Sequence, residues 1–190
     1  LPRVRVSTDF TDRVHFSADE IIELIEVARA SGDIQTQVVF AISTMYGPRA
    51  GEIIAIRKAD IHPKRQTIII HTEKEGFKRE HLIPTQIQPY IFQYGYPIIS
   101  QNTLSTILHN VASVAGVSTV PRKSYHAIRH GLVNALKYES GFANDKISQF
   151  TGWREGGMTM SYARPFPFMP ELDNEILANH PFVKYWEGKK

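Results

Sequence analysis

Gly152-Trp153-Arg154-Glu155-Gly156-Gly157-Met158-Thr159-Met160-Ser161-Tyr162 is the stretch on which the reading of this chain turns. A glycine and a tryptophan close the preceding segment, and a glycine pair then gives the backbone unusual freedom. The pair reads either as a simple terminator or as a hinge for the segment after it. Met158 to Arg164 reads as a short helical piece, and it presents a tyrosine nine residues after Trp153. Upstream lie His126-Ala-Ile-Arg129 and, much earlier, Gly47-Pro48-Arg49. Arginine forks can hold phosphate oxygens, and a tyrosine hydroxyl can attack phosphorus and keep it as a covalent ester. Together these residues form a kit for breaking a phosphodiester without a metal.

Outward from that stretch the chain reads as mostly helical. Ser17-Ala-Asp-Glu20 is a capping box, with Phe16 and Ile21 placed as its hydrophobic staple. Ile21, Ile22, Leu24, Ile25 and Ala28 then follow a helical period to Ser31-Gly32. A more apolar helix covers about 36 to 46 and stops at Gly47. Pro48 is placed to open a third helix at its first position, with Arg49 just inside it. Gln66 to His71 is a β-branched run, and Glu80 to Ile83 a second strand, joined by a hairpin turning near Glu75-Gly76. Asn102 to Val114, Ser124 to Tyr138 and Asn144 to Phe150 read as helices. Pro165, Pro167 and Pro170 then break the chain before a partly helical tail. The fold expected is mainly α with a small antiparallel β-sheet.

The 190 residues suit one domain with a sizeable core. With 22 Lys+Arg against 19 Asp+Glu the chain is only mildly basic, so a DNA face must come from local clustering. The lack of cysteine excludes disulfides, thiolate metal sites and a cysteine nucleophile. Eight histidines leave a histidine or carboxylate metal site open, though none forms an HxH or HExxH pairing; the candidate site residues include neither a metal ligand nor a cofactor contact. No apolar run has the length of a membrane span and none opens the chain as a signal peptide would, so a soluble intracellular protein is expected.

Each candidate also has an ordinary reading. Arg49 lies at a helix start, where unpaired N–H groups welcome an anion, with Glu52 three residues on to hold its guanidinium. Alone, such a pair is usually a surface ion pair. His126 and Arg129, spaced i, i+3 behind a Ser124 cap, share one helical face and suit a phosphate. Alone, the histidine is more often a hydrogen-bonded packing residue. Lys74 and Lys78 sit in the hairpin, where lysines are normally solvated. Trp153 can donate its indole N–H or simply anchor a core. Tyr162 competes with Tyr125, Tyr138 and Tyr185, which fit packing roles.

In the order and spacing of these motifs, over about 17 to 164, the chain resembles the catalytic domain of the tyrosine recombinases, the phage-integrase family. Thr44-Met-Tyr-Gly-Pro-Arg49-Ala-Gly-Glu52 looks like the family's box for its first catalytic arginine. His126 and Arg129 match the second box, and Trp153 and Tyr162 the last. By the same resemblance Lys74, before the turn glycine, is the hairpin lysine that protonates the leaving oxygen. The hairpin is about two residues longer than usual, which keeps Lys78 as the alternative. Lys78 and Arg79 are otherwise expected to contact backbone phosphates.

The resemblance implies site-specific recombination through a 3′-phosphotyrosyl intermediate, without metal or ATP. The implied partners are double-stranded DNA and further copies of the chain, as a tetramer in synapsis. In a prokaryotic or archaeal host the location would be cytoplasmic and nucleoid-associated. Residues 1–164 form the expected catalytic domain and 165–190 a tail that docks either on its own domain or, as the resemblance favours, on a neighbouring protomer. Two other readings stay open: type IB topoisomerase-like cleavage and a non-catalytic DNA-binding module.

Overall fold

A computed structural model describes residues 14–72, 77–93, 100–121, 123–153 and 164–188. Its first helix, α1 (Ala18–Ala30), begins at the capping box read from the sequence. Glu20 N–H donates to Ser17 Oγ at 3.2 Å, and Ser17 N–H to Glu20 Oε2 at 2.8 Å. Phe16 and Ile21 are both fully buried beside it. Helix α2 (Ile34–Tyr46) runs through the centre, and every residue from Val38 to Tyr46 is buried. A helix apolar on all sides needs neighbours on all sides; α1, α3 (Ala50–Ala55), α4 (Gln88–Phe92) and α6 (Tyr125–Tyr138) supply them.

Pro48 does not open α3. The helix starts two residues later, and Arg49 is its N-cap in extended conformation. Glu52 accounts for the shift, because its carboxylate reaches back to the Arg49 N–H at 2.9 Å. This is the acidic half of a capping box, with the arginine in the cap position.

The sheet has three antiparallel strands in the order β1 (Ile61–His62), β2 (Thr67–His71) and β3 (Lys78–Leu82). The short β1 is not expected from the sequence, and neither is α4. Register pairs Ile68 with His81 and Ile70 with Arg79. Ile68 and Ile70 are fully buried, so alternation carries Arg79 and His81 to the same inward face. Helices α5 (Gln101–Ala115) and α7 (Asn144–Thr151) complete the body, with α5 on α1 and α7 on α6.

In this chain the tail lies against its own domain. Residues 164–168 run along β3, where Glu80 N–H donates to Pro167 O at 2.8 Å. Helix α8 (Pro170–Ala178) packs on β3 and α7, and a 3-10 turn (Val183–Trp186) packs on α1. Leu172, Ile176, Phe182 and Trp186 are buried in this chain's own core. Trp186 Nε1 donates to Thr44 Oγ1 at 3.1 Å, which ties the end of the chain to the central helix.

Candidate active site

Two left-handed glycines shape the backbone here. Gly47 (φ 57°) ends α2, and a Cβ on it would stand 3.1 Å from Leu132 Cδ2 and 3.5 Å from Arg129 Cγ. Gly152 (φ 65°) ends α7, and a Cβ there would be 2.9 Å from Arg79 Nε. Both positions therefore need glycine for backbone conformation and for room. Each helix end thus lies against an arginine, and its last carbonyls are acceptors for a cation.

Arg129 extends from α6 into this space and is 1% exposed. Its Nη1 donates to Gly47 O and to Thr151 O, the latter at 2.8 Å. Arg79 enters from β3, and its Nη1 donates to Phe150 O at 2.7 Å. Arg49 is partly exposed and donates from Nη1 to Glu52 Oε1 at 3.0 Å. Glu52, fully buried, also faces Arg79 Nη2 at 3.5 Å, an ion-pair distance longer than a hydrogen bond. Three guanidiniums from α3, β3 and α6 thus converge, with Glu52 as the carboxylate between Arg49 and Arg79.

The charge balance shows in the arginines themselves. Burial, followed by the neighbouring Arg79 and Arg49 charges, pushes Arg129 down to about 9. Burial pushes Arg79 down to about 10, partly offset by Glu52. Both stay protonated at neutral pH, so the pocket holds excess positive charge in a poorly solvated place. Arg129 Nη2, Arg79 Nε and Arg79 Nη2 are buried without a hydrogen-bond acceptor among the described residues. Such groups are uncommon in folded proteins, and an anion brought here would relieve both shortfalls.

The remaining candidates divide. His126 lies one turn before Arg129 on α6, behind the Ser124 cap, with its side chain at the surface and its ring edge-on to His130 at 5.1 Å. It borders a cavity of about 210 Å³ with Ala50, Ser105 and Lys123, which connects the start of α6 to the start of α3. Trp153 is 4% exposed and packed in the core, and its backbone N–H donates to Thr151 Oγ1 at 3.2 Å. Lys78 is exposed at the start of β3. Arg79, read from the sequence as a surface phosphate contact, is turned inward and 2% exposed. The signal for this is its place opposite Ile70, which the strand's charged composition masks. Lys74, Tyr162 and the Gly156-Gly157 pair lie outside the described residues.

Residues 15–167 match the family model described as the phage integrase family. The chain belongs to that family. Two solved structures share the fold of this integrase-family domain. XerA recombinase is 19% identical with a TM-score of 0.58, over 88% of this chain and 65% of that one. The integrase from mycobacterium phage Brujita is 16% identical with a TM-score of 0.56, over 94% of this chain and 66% of that one. The domain therefore spans just under two thirds of either structure's length. No curated protein matches it significantly. Among the described residues no helix is long and apolar enough to cross a membrane.

Proposed function

We propose that this domain cuts and rejoins double-stranded DNA as a site-specific recombinase or integrase, through a 3′-phosphotyrosyl link. The observation that carries the reading is the convergence of Arg49, Arg79 and Arg129 with Glu52 in a pocket richer in positive charge than its own carboxylate balances. A phosphodiester in the transition state has the complementary charge, and preorganised cations stabilise it without reorganisation. Arg49 and Arg129 hold the nonbridging oxygens, and His126 and Trp153 donate to them. Tyr162 gives its hydroxyl proton to solvent and attacks phosphorus, forming the tyrosyl ester as the bond to the 5′-oxygen breaks. Lys74, or Lys78 in its place, protonates that oxygen. A 5′-hydroxyl of a partner strand reverses the step, so the bond energy is conserved and neither ATP nor a metal is needed.

Tyr162 is two residues from Arg164, whose guanidinium donates to Glu80 O at 2.8 Å and Gln149 O at 3.2 Å. That anchor sits on β3 and α7, which also carry Arg79 and the Thr151 carbonyl that holds Arg129. Strand exchange between two duplexes requires several copies of the domain on DNA, as a tetramer in synapsis. An enzyme acting on cellular DNA works inside the cell, with the nucleoid in a prokaryotic host.

The test is a pool of nicked suicide duplexes with randomised cores, incubated with the full chain and resolved in SDS. A covalent adduct that persists in EDTA and maps to Tyr162 by peptide mass is the expected result. Tyr162→Phe should abolish it while leaving noncovalent binding nearly intact. Relaxation of plasmids without a recombination site would turn the reading to a type IB topoisomerase. Sequence-selective binding with no adduct would leave a non-catalytic DNA-binding module.

A further inference from the structure

Behind Arg79 lies a chain of contacts that leads away from the site into the tail. Arg79 Nη1 donates to His81 Nε2 at 3.2 Å, as well as to the Phe150 carbonyl. A guanidinium can only donate, so His81 Nε2 is the acceptor, and the ring proton sits on Nδ1. That nitrogen donates to Asp173 Oδ1 at 3.1 Å. Asp173 Oδ2 accepts the Leu82 N–H at 2.8 Å, which fixes the carboxylate against β3. The ring is gripped on two sides, by Tyr46 stacked at 4.9 Å and Phe150 edge-on at 4.8 Å. Asp173 and His81 are fully buried, so the order Asp173, His81, Arg79, Glu52 crosses the interior from α8 to the arginine cluster.

We propose that Arg79 is a positioning residue of the phosphate site, aimed by the His81–Asp173 pair so that it fixes Glu52 and, through it, Arg49. This rests on the recombinase reading of that site. Arg79 is suited to the task because its fork is shared: Nη1 is spent on Phe150 O and His81, which leaves Nη2 facing Glu52. Without Arg79, Glu52 would keep only Arg49 as its cation and could turn toward Arg129, cancelling charge meant for the phosphate. Lysine cannot substitute, since one ammonium lacks the planar fork that reaches a carbonyl, an imidazole and a carboxylate together. Docking of α8 is then part of building the site, although none of its residues need touch DNA.

Two measurements on the full chain test this. In the first, inorganic phosphate is titrated while the side-chain signals of ¹⁵N-labelled arginine are followed. The wild type should bind it with shifts at Arg49 and Arg129. Arg79→Lys, His81→Asn and Asp173→Asn should each weaken it about tenfold, the loss of roughly one charge-assisted hydrogen bond. Lys64→Ala, in the exposed turn between β1 and β2, should leave it unchanged. In the second, cleavage is compared on a phosphodiester and on a methylphosphonate, whose neutral phosphorus needs less cationic stabilisation. Arg79→Ala should be selectively rescued on the neutral substrate, as no merely structural defect would be.

Equal losses on both substrates, or unaltered phosphate affinity in the folded Arg79→Lys and Asp173→Asn variants, overturn the proposal. Arg79→Ala is confirmed as folded by its thermal transition; if it fails that check, Arg79→Lys takes its place on both substrates. A wild type that binds phosphate through these residues but never forms a DNA adduct would sink the recombinase reading and leave the positioning intact. An adduct indifferent to Arg79 would do the reverse.

Discussion

Glu52 and Asp173 are both fully buried carboxylates in polar clusters, one at each end of Arg79 and His81. Their surroundings differ in kind. Asp173 takes a hydrogen bond from a neutral imidazole and another from a backbone N–H, with Arg164 Nη2 further off at 3.7 Å. Its donors and its charge are nearly matched. Glu52 lies between Arg49 and Arg79, with the charge of Arg129 also bearing on the cluster. That cluster is over-supplied with cation and with unshared N–H groups. A matched buried network fastens a fold, whereas an unmatched one lowers stability unless something else completes it. The Asp173 cluster is a fastening, and the Glu52 cluster holds the cation surplus on which the proposed phosphate site rests.

The sharpest way to break this contrast is to remove the fastening. Truncation after Arg164 deletes Asp173 together with Leu172, Ile176, Phe182 and Trp186, all buried. Each large buried side chain lost costs about 2–5 kcal/mol, so their sum reaches the whole stability of a domain, about 5–15 kcal/mol. The truncated chain should show no cooperative thermal transition. A sharp melt by circular dichroism would mean that the tail is an accessory and could dock elsewhere.

Neutralising the two carboxylates in turn is the next test. Glu52→Gln leaves buried guanidiniums without their counter-charge and should cost about 3–5 kcal/mol. Asp173→Asn keeps one of two acceptors and should cost about 1–3 kcal/mol. Millimolar phosphate should recover more of the Glu52→Gln loss than of the Asp173→Asn loss, because a ligand bound only by the folded state stabilises it according to its affinity, and Asp173→Asn binds phosphate more weakly. Equal costs, both insensitive to phosphate, would mean that the two clusters are alike.

The sequence carries one side of this comparison much better than the other. The Ser17 capping box and the αL glycines 47 and 152 are local signals, readable because their partners lie within a few residues. Arg49, Glu52 and Arg129 are legible through motif spacing, and the structure brings them together. Arg79 is not, because its direction depends on strand register with Ile70 and not on its charged neighbours. The tail is hidden for a related reason. Trp186 bonds to Thr44 and His180 to Met45 across more than a hundred residues, and no local pattern announces such partners. Pro48 looks like a helix start because proline favours that position, yet Glu52 decides the cap from inside the helix.

Acid should weaken the fastening without touching the arginines. His81 accepts an N–H from Arg79, and His180 Nδ1 accepts the Phe182 N–H at 3.1 Å, so an added proton would face a donor in either ring. Burial pushes both imidazoles down to about 4. Unfolded, they titrate near 6.5, so between these values the unfolded chain binds more protons. Stability is then full above about 6.5 and declines as pH falls toward 4, by up to about 3 kcal/mol for each imidazole. Urea midpoints at pH 7, 6 and 5 measure the slope, and His180→Asn should reduce it by about half. A flat profile would show that these rings are not the titrating groups.

The smallest expected effect separates two neighbours on β3. Lys78 is exposed while Arg79 is buried, although the sequence suggests phosphate contacts for both. A surface lysine on a DNA phosphate contributes mainly through counterion release, about 0.9 in the slope of log affinity against log salt. Lys78→Ala should therefore weaken DNA binding a few-fold at physiological salt and lower that slope by about one, with no preference among sequences. Arg79→Lys should leave the salt slope unchanged, because its guanidinium points at Phe150 O and Glu52 and away from solvent. Filter binding at several salt concentrations distinguishes the two. A slope change at Arg79 with none at Lys78 would mean that the strand turns over when DNA binds, and that the inward register belongs to the free protein alone.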